Sequence, residues 1–143
     1  CALPISLPEV LPVVEGRDVE IPTRYDGADL DHVARATGLS THEVIALHSG
    51  GAYVGAFAGF APGYIYCTGL DPRLHLPRRP TPRTAVPAGS VAIADVYTAV
   101  YPSASPGGWH LIGTTDLTLF DLHRTEPALI RPGDRVRFTV RTS

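Results

Sequence analysis

The sequence predicts a mainly β protein, a closed β-barrel capped near one end by two short helices. Three observations carry that expectation. Gly and Pro each occur 14 times in 143 residues, which leaves little room for long uninterrupted helices. From residue 52 onward, short apolar or alternating runs are separated by Gly- and Pro-containing turns. Helix start and stop signals occur in two stretches, both between residues 29 and 50. Hydrophobic residues make up 44% of the chain, enough for the core of one domain.

Residues 1–16, with Pro4, Pro8 and Pro12, read as an extended linker or edge segment. Arg17–Arg24 places Val19, Ile21 and Thr23 in strand alternation, and Tyr25–Ala28 forms a turn around Asp26-Gly27. The first helix begins near Asp29, which is positioned to cap it. It presents Leu30, Val33 and Ala34 on one side and stops at Gly38. The second helix has a capping-box pair in Ser40 and Glu43 and a hydrophobic staple in Leu39 and Val44. Val44, Leu47 and His48 share one face, with Gly50 as a left-handed stop. Tyr53–Phe60 is a small-residue strand, and Ser90–Tyr101 is apolar and β-branched. Trp109–Ile112 and Leu117–Leu122 are expected as strands around a Gly113–Asp116 turn. Arg135–Arg141 alternates strictly, Val136, Phe138 and Val140 against Arg135, Arg137, Thr139 and Arg141.

Composition excludes several function classes. A net charge of -2 and a pI near 6.3 argue against nucleic-acid binding, which needs a basic surface to displace counterions. No apolar run reaches the about 20 residues of a membrane helix. The longest uncharged stretch, Ala52–Leu70, is interrupted by Gly55, Gly59, Pro62, Gly63 and Gly69. All 12 cationic side chains are Arg, and the chain has no Lys, Asn or Gln. A Lys-dependent P-loop, a Schiff-base amine and the amidase-signature Lys are therefore absent. Cys1 and Cys67 are too few for a zinc site and suggest no disulfide framework, which points to a reduced, cytoplasmic setting. The six histidines show no metal-ligand spacing, so no metal is expected; His48, on the apolar face of its helix, and then His110 stand out. The chain contains no Met, hence no initiator start, which suggests residues upstream of Cys1.

Three segments have the makings of a site. Gly59–Tyr66 puts backbone N–H groups on a tight turn, either a small anion nest or a strand-to-loop corner. Asp71–Ala88 combines Arg73, Arg78, Arg79 and Arg83 with five prolines and has no helix or strand signal. Its guanidinium forks suit a carboxylate or phosphate held on a stiff loop, or a neighbouring subunit. Tyr101–His110 offers hydroxyls, the glycines 107 and 108, and the single Trp; it also reads as a hairpin loop with a core Trp. It is not a Gly-x-Ser-x-Gly elbow.

These segments resemble one family. Residues 59–121, with PGYIY, GLDPRL, TPRTAVPAGSVAIA and YPSASPGGWHLIG, are similar to the signature stretch of allophanate hydrolase subunit 1 proteins. That group includes the B-type subunit of 5-oxoprolinase, the kinase inhibitor KipI and part of the carboxyltransferase region of urea carboxylase. The likeness extends collinearly over about residues 17–140. It implies a cyclophilin-like barrel domain over residues 17–143, with a separate smaller domain upstream and residues 1–16 as the remnant of the connection. It also implies a subunit of an ATP-dependent amide or lactam hydrolase of 5-oxoprolinase type, converting 5-oxoproline to glutamate. Such a protein works with a C-type companion subunit (allophanate hydrolase subunit 2), and ATP is bound by the assembled complex. The alternative from the same group is a binding module that inhibits a sensor histidine kinase, as KipI does; a third expectation gives Arg73, Arg78 and Arg79 to subunit assembly alone. Carried over by position, the substrate-binding candidates are Phe60, Pro62, Gly63, Arg73, Arg83, Ser90, Thr98, Tyr101, Ser105, Gly108 and Trp109, with no catalytic residue assigned. Arg83 is expected to face the substrate, so that its truncation lowers activity without unfolding the barrel. The sequence departs from the family pattern after VAIA, which is close to Gly-Gly-x-Gln-Thr-Gly-Ile-Tyr-Pro. Here residues 95–102 read Asp-Val-Tyr-Thr-Ala-Val-Tyr-Pro, and residues 62–67 read Pro-Gly-Tyr-Ile-Tyr-Cys where the family has Pro-Gly-Phe-Pro-Tyr-Leu. These changes imply altered specificity or weakened activity.

Overall fold

The computed structural model of the chain describes residues 16–59 and 61–141. Strand β1 (Asp18–Thr23) leads into helices α1 (Leu30–Thr37) and α2 (Thr41–Ser49), followed by β2 (Tyr53–Ala58) and β3 (Ile65–Thr68). A short 3-10 turn (Pro72–Leu74) precedes β4 (Arg83–Val86), β5 (Ser90–Ala94), β6 (Tyr97–Val100), β7 (Ser105–Gly107), β8 (His110–Thr114) and β9 (Arg135–Val140). Seven strands form one sheet in the order β1-β9-β2-β3-β6-β5-β8, while β4 and β7 form a separate two-stranded ribbon. β1 and β9 run parallel; the other pairs are antiparallel.

The two edges of the sheet come together just beyond β1. Arg24 and Thr114 exchange backbone hydrogen bonds of 2.8 Å each way, and Asp29 donates to the Leu111 carbonyl at 2.8 Å. The sheet is thus a nearly closed barrel, which removes most exposed strand edge. Ile21, Tyr53, Val91, Ile93, Val136 and Phe138 fill its interior, and Leu30, Val33 and Val44 from the helices plug one end. Each such side chain, fully buried, contributes about 1.5–3 kcal/mol. Asp134, buried, accepts from the backbone N–H of Arg17 at 3.0 Å and of Arg131 at 2.8 Å, which pins the start of β1 beside the start of β9.

The strand alternation of β1 and β9 is as expected, except that Val140 at the end of β9 is exposed. The capping box of α2 is complete: Ser40 Oγ accepts from Glu43 N at 3.0 Å, and Glu43 accepts from Ser40 N at 2.8 Å. Several local expectations are corrected. Asp29 sits at the N-cap of α1 but makes no side-chain cap bond, because its carboxylate is drawn to Arg83. Gly50 ends α2 in right-handed geometry (φ -85), while Gly38 takes the left-handed turn. Leu117–Leu122 is not a strand: it folds back on residues 127–129 through Leu129 N to Leu119 O and a single bridge, Phe120 to Ala128. Asp71–Ala88 holds the 3-10 turn, a bridge from Leu76 to Asp95, and β4. Ser90–Tyr101 divides into the hairpin β5–β6, turning at Asp95 with φ 53.

Candidate functional site

A second core lies on the outer face of β3, β6, β5 and β8. There Ala92, Ala94 and Ala99 leave space above the sheet, and Tyr64, Tyr101, Trp109 and Val86 fill it. Small residues on the strands are what allow large rings to lie flat against them. Tyr64 meets Tyr101 and Trp109 edge-on at 5.2 and 5.9 Å, and Tyr66 meets Trp109 at 5.3 Å. Burial pushes both the Tyr64 and the Tyr101 phenols up. The ribbon β4–β7 and the loop 77–82 cover this core. The three segments singled out from sequence therefore converge: Gly63 lies against Pro102 and Phe120, Gly107 against the Tyr101 hydroxyl, and Arg79 N donates to Gly108 O at 2.7 Å.

The polar centre of this region is Asp29. Arg83 grips it with both terminal nitrogens, Nη1 to Oδ2 at 2.6 Å and Nη2 to Oδ1 at 2.8 Å. Leu111 N donates to Oδ2 at 2.8 Å, and Arg79 Nε stands 3.9 Å from Oδ1. Burial raises the Asp29 carboxyl, but the bonds from Arg83 and Leu111 and the Arg79 charge outweigh this and hold it below its usual value. Arg78 is exposed, 3.9 Å from Asp95 at the hairpin tip, and its charge reaches Tyr64 and Tyr101. Beside the cluster, buried His110 bonds to the Pro77 carbonyl through Nε2 at 2.8 Å and stacks on His32 of α1 at 5.5 Å. With Arg83 committed to Asp29, Arg78 and Arg79 are the guanidinium groups beside the aromatic core that suit a small ligand carrying an anionic group.

The sequence-predicted residues divide between this region and elsewhere. Arg83, Tyr101, Ser105, Gly108 and Trp109 come together around the ribbon, although Tyr101 and Trp109 are buried and the fork of Arg83 is occupied by Asp29. Pro62 and Gly63 sit at the edge of the aromatic core, Gly63 with φ 84. The turn that holds them uses its own donors, Gly59 N to Tyr64 O at 2.6 Å and Tyr64 N to Ala61 O at 3.0 Å, so two nest N–H groups are already bonded. Ser90 is buried and donates to Pro87 O at 2.7 Å. Thr98 points into the barrel, bonded to Ala92 O and to His48 Nε2, both at 2.9 Å. Arg73 is not brought to the cluster: it stands on the 3-10 turn beside α2, clasped by Asp71 at 3.1 Å. Phe60 lies outside the described residues, as do residues 1–15 with Cys1. Cys67 is a buried free thiol whose pKa burial pushes up to about 12. Among the described residues no group of His, Cys, Asp and Glu has metal-ligand geometry, and no helix is long and apolar enough to cross a membrane.

A cleft of about 570 Å³ opens elsewhere, on the outer face of β1, β9 and β2. Its charges pair along the parallel strands, Arg135 Nε to Asp18 at 2.6 Å, and none of the candidate residues lines it. We place the candidate site at the Asp29 cluster, where the start of α1, the arginine-rich segment and the start of β8 meet. Sequence reading missed Asp29 because it looked like a helix cap. Arg79 was visible only as one arginine among four.

The carboxyltransferase domain, subdomain C and D, matches residues 9–130. The chain belongs to that family. Curated relatives in it include the B-type subunit of 5-oxoprolinase from Escherichia coli O157:H7, 55% identical over 87% of this chain and 58% of that protein. The protein of the same name from Bacillus subtilis (strain 168) is 48% identical over 87% of this chain and 53% of its own length. This chain thus spans a little over half of the curated relatives it matches. Among solved structures, TTHA0988 aligns with a TM-score of 0.86 at 50% identity, over 89% of this chain and 26% of that one. PH0987 from Pyrococcus horikoshii aligns with a TM-score of 0.83 at 42% identity, over 87% and 59%. The K. lactis urea amidolyase aligns with a TM-score of 0.70 at 21% identity, over 90% of this chain and 10% of that one, which establishes a shared fold. Within the segment 95–102, Asp95 stands with φ 53, a conformation that favours Gly, and Tyr97 packs on Phe57 and Tyr66 at 5.6 and 5.2 Å.

Proposed function

We propose that this chain is the barrel region of a subunit of an ATP-dependent lactam hydrolase, acting on 5-oxoproline or a close analogue together with a companion subunit. The carrying observation is 46–55% identity to three proteins named as the B-type subunit of 5-oxoprolinase. Arg78 and Arg79 beside the aromatic core support it, since the substrate is a small flat ring with a carboxylate. The chain has no Lys, and its described residues hold no carboxylate cluster suited to a nucleotide-bound cation. These residues do not fit ATP by themselves. In this reading the assembled complex, rather than this chain alone, binds the nucleotide. Residues 1–16 are, in this reading, the connection to an upstream domain.

The test is ATP hydrolysis by the full-length subunit with its companion, with and without 5-oxoproline. Hydrolysis stimulated only in the pair and only with substrate is the expected result; a folded pair that shows no stimulation overturns it. A second reading, a module that binds and inhibits a sensor histidine kinase, is favoured by exposed Val96 within the altered 95–99 segment and exposed Phe57 packed against it. Inhibition of a kinase by a pair inert toward 5-oxoproline would select it.

A further inference from the structure

Two polar atoms beside the Asp29 cluster are shut off from solvent and have no hydrogen-bond partner among the described residues: Arg79 Nη1 and His110 Nδ1. Buried polar groups in native structures are nearly always paired, so each calls for an explanation. The two are complementary in kind. Arg79 Nη1 is a charged donor. His110 donates from Nε2 to the Pro77 carbonyl, so in the neutral ring Nδ1 carries the lone pair and accepts. His110 as a whole is 3% exposed.

The neighbouring groups cannot satisfy them. Both terminal nitrogens of Arg83 are on Asp29, and Asp29 Oδ2 also takes the Leu111 N–H. Asp29 approaches Arg79 only at Nε, at 3.9 Å, so one side of the Arg79 fork is unused. A common frame holds the two side chains. Pro77, which fixes the His110 ring, is two residues before Arg79; Gly108, which accepts from Arg79 N, is two residues before His110.

We propose that Arg79 and His110 form the subsite for a small carboxylate that bears an N–H on the adjacent carbon, the arrangement found in 5-oxoproline and in N-acyl amino acids. The carboxylate oxygen accepts from Arg79 Nη1, and the N–H donates to His110 Nδ1. This rests on the lactam-hydrolase reading and names the residues that select its substrate. Arg79, with an open fork, takes the role that sequence position gave to Arg83. Both atoms are covered in this structure, so occupation of the subsite requires displacement of the loop 77–82, which is held by Arg79 N on Gly108 O and, at its start, by Asp95 N on Leu76 O at 2.7 Å.

The test uses the full-length subunit with its companion, reading ligand binding by saturation-transfer NMR and turnover by ATP hydrolysis. Arg79→Gln weakens 5-oxoproline binding about 10- to 100-fold, the range of one charge-assisted hydrogen bond. It leaves 2-pyrrolidinone, the same lactam without the carboxylate, unchanged. His110→Phe weakens 5-oxoproline but not N-methyl-5-oxoproline, which has no N–H to donate. Thermal unfolding checks that each variant is folded, and Arg79→Lys serves if the Gln variant is not, with a smaller loss in the same ligand order. Equal losses for all ligands, unchanged 5-oxoproline binding, no binding by the wild-type pair, or displacement of 5-oxoproline by equimolar inorganic phosphate overturns the subsite. Binding that depends on both residues without turnover keeps the subsite and removes the hydrolase reading; turnover with binding independent of them does the reverse.

Discussion

Lowering the pH from 7 to 5 acts on the barrel through His48. This ring is fully buried among Tyr25, Tyr53 and Phe138, with Phe138 4.5 Å away centre to centre. Thr98 donates its hydroxyl proton to Ala92 O and so accepts from His48 Nε2, which leaves Nδ1 to accept from the Tyr25 hydroxyl at 2.7 Å. Every bond in the chain requires a neutral ring. Burial pushes the His48 pKa down to about 3. An unfolded His titrates near about 6.5. Because the folded value is the lower one, the unfolded state takes up the proton first. The stability this group supplies is complete above about pH 6.5 and is lost as pH falls toward the folded value. Linkage gives a loss of about 2 kcal/mol by pH 5 and about 3 kcal/mol by pH 4, a large share of a domain's about 5–15 kcal/mol. The carboxylates with lowered values, such as Asp29, contribute mainly below this window. Urea unfolding of the chain, followed by the fluorescence of its single Trp, Trp109, reads the change. His48→Gln keeps an amide donor for Thr98 and removes the titration, and the other histidines cancel in the comparison. Equal pH dependence in wild type and variant between pH 7 and 5 would refute the assignment.

Arg83→Ala leaves Asp29 buried with only the Leu111 N–H and the distant Arg79. It costs about 2–4 kcal/mol, the lower range for a broken buried pair because the Arg83 side chain is a quarter exposed. An unchanged urea midpoint together with a loss of turnover would return Arg83 to the substrate. Asp95→Gly relieves a non-glycine residue held at φ 53 and gives up only an exposed 3.9 Å pair with Arg78; unfolding temperature rises by the equivalent of about 0.5–1 kcal/mol. A lower unfolding temperature would show that the Asp95 side chain, not the backbone, holds the hairpin.

The parts legible in the sequence were those decided by near neighbours. Ser40 and Glu43 stand three residues apart and close their own ring of bonds, and β9 shows its buried face by simple alternation. The hairpin at Asp95 was hidden because its tip has neither Gly nor Asn, although the backbone takes the conformation those residues favour. Leu117 and Leu119 alternate like a strand, yet Leu119 is buried by a loop that folds back on Leu129. At the candidate site, local pattern points the wrong way. Asp29 precedes a helix and carries the signature of a cap, and nothing near it tells that Arg83, 54 residues later, is the stronger partner. Equally, four arginines in one stretch look alike until Asp71 clasps Arg73 and Asp29 clasps Arg83, leaving Arg79 with a donor to spare.

The parallel pairing of β1 with β9 bears on how the chain is made. Asp18 and Arg135 are 117 residues apart, and the six register pairs from Asp18–Arg135 to Thr23–Val140 join the first described strand to the last. A ribosome releasing the chain in order frees β1, both helices and β2 long before β9 exists. Until then the apolar faces of Ile21 and Tyr53 lack Val136 and Phe138, and β1 and β2 each present an open edge. Closure therefore waits for synthesis of the whole barrel and then carries the entropy cost of a chain-length loop, which marks it as a slow folder dominated by distant contacts. The waiting nascent chain, rather than the finished barrel, is the form most in need of a chaperone.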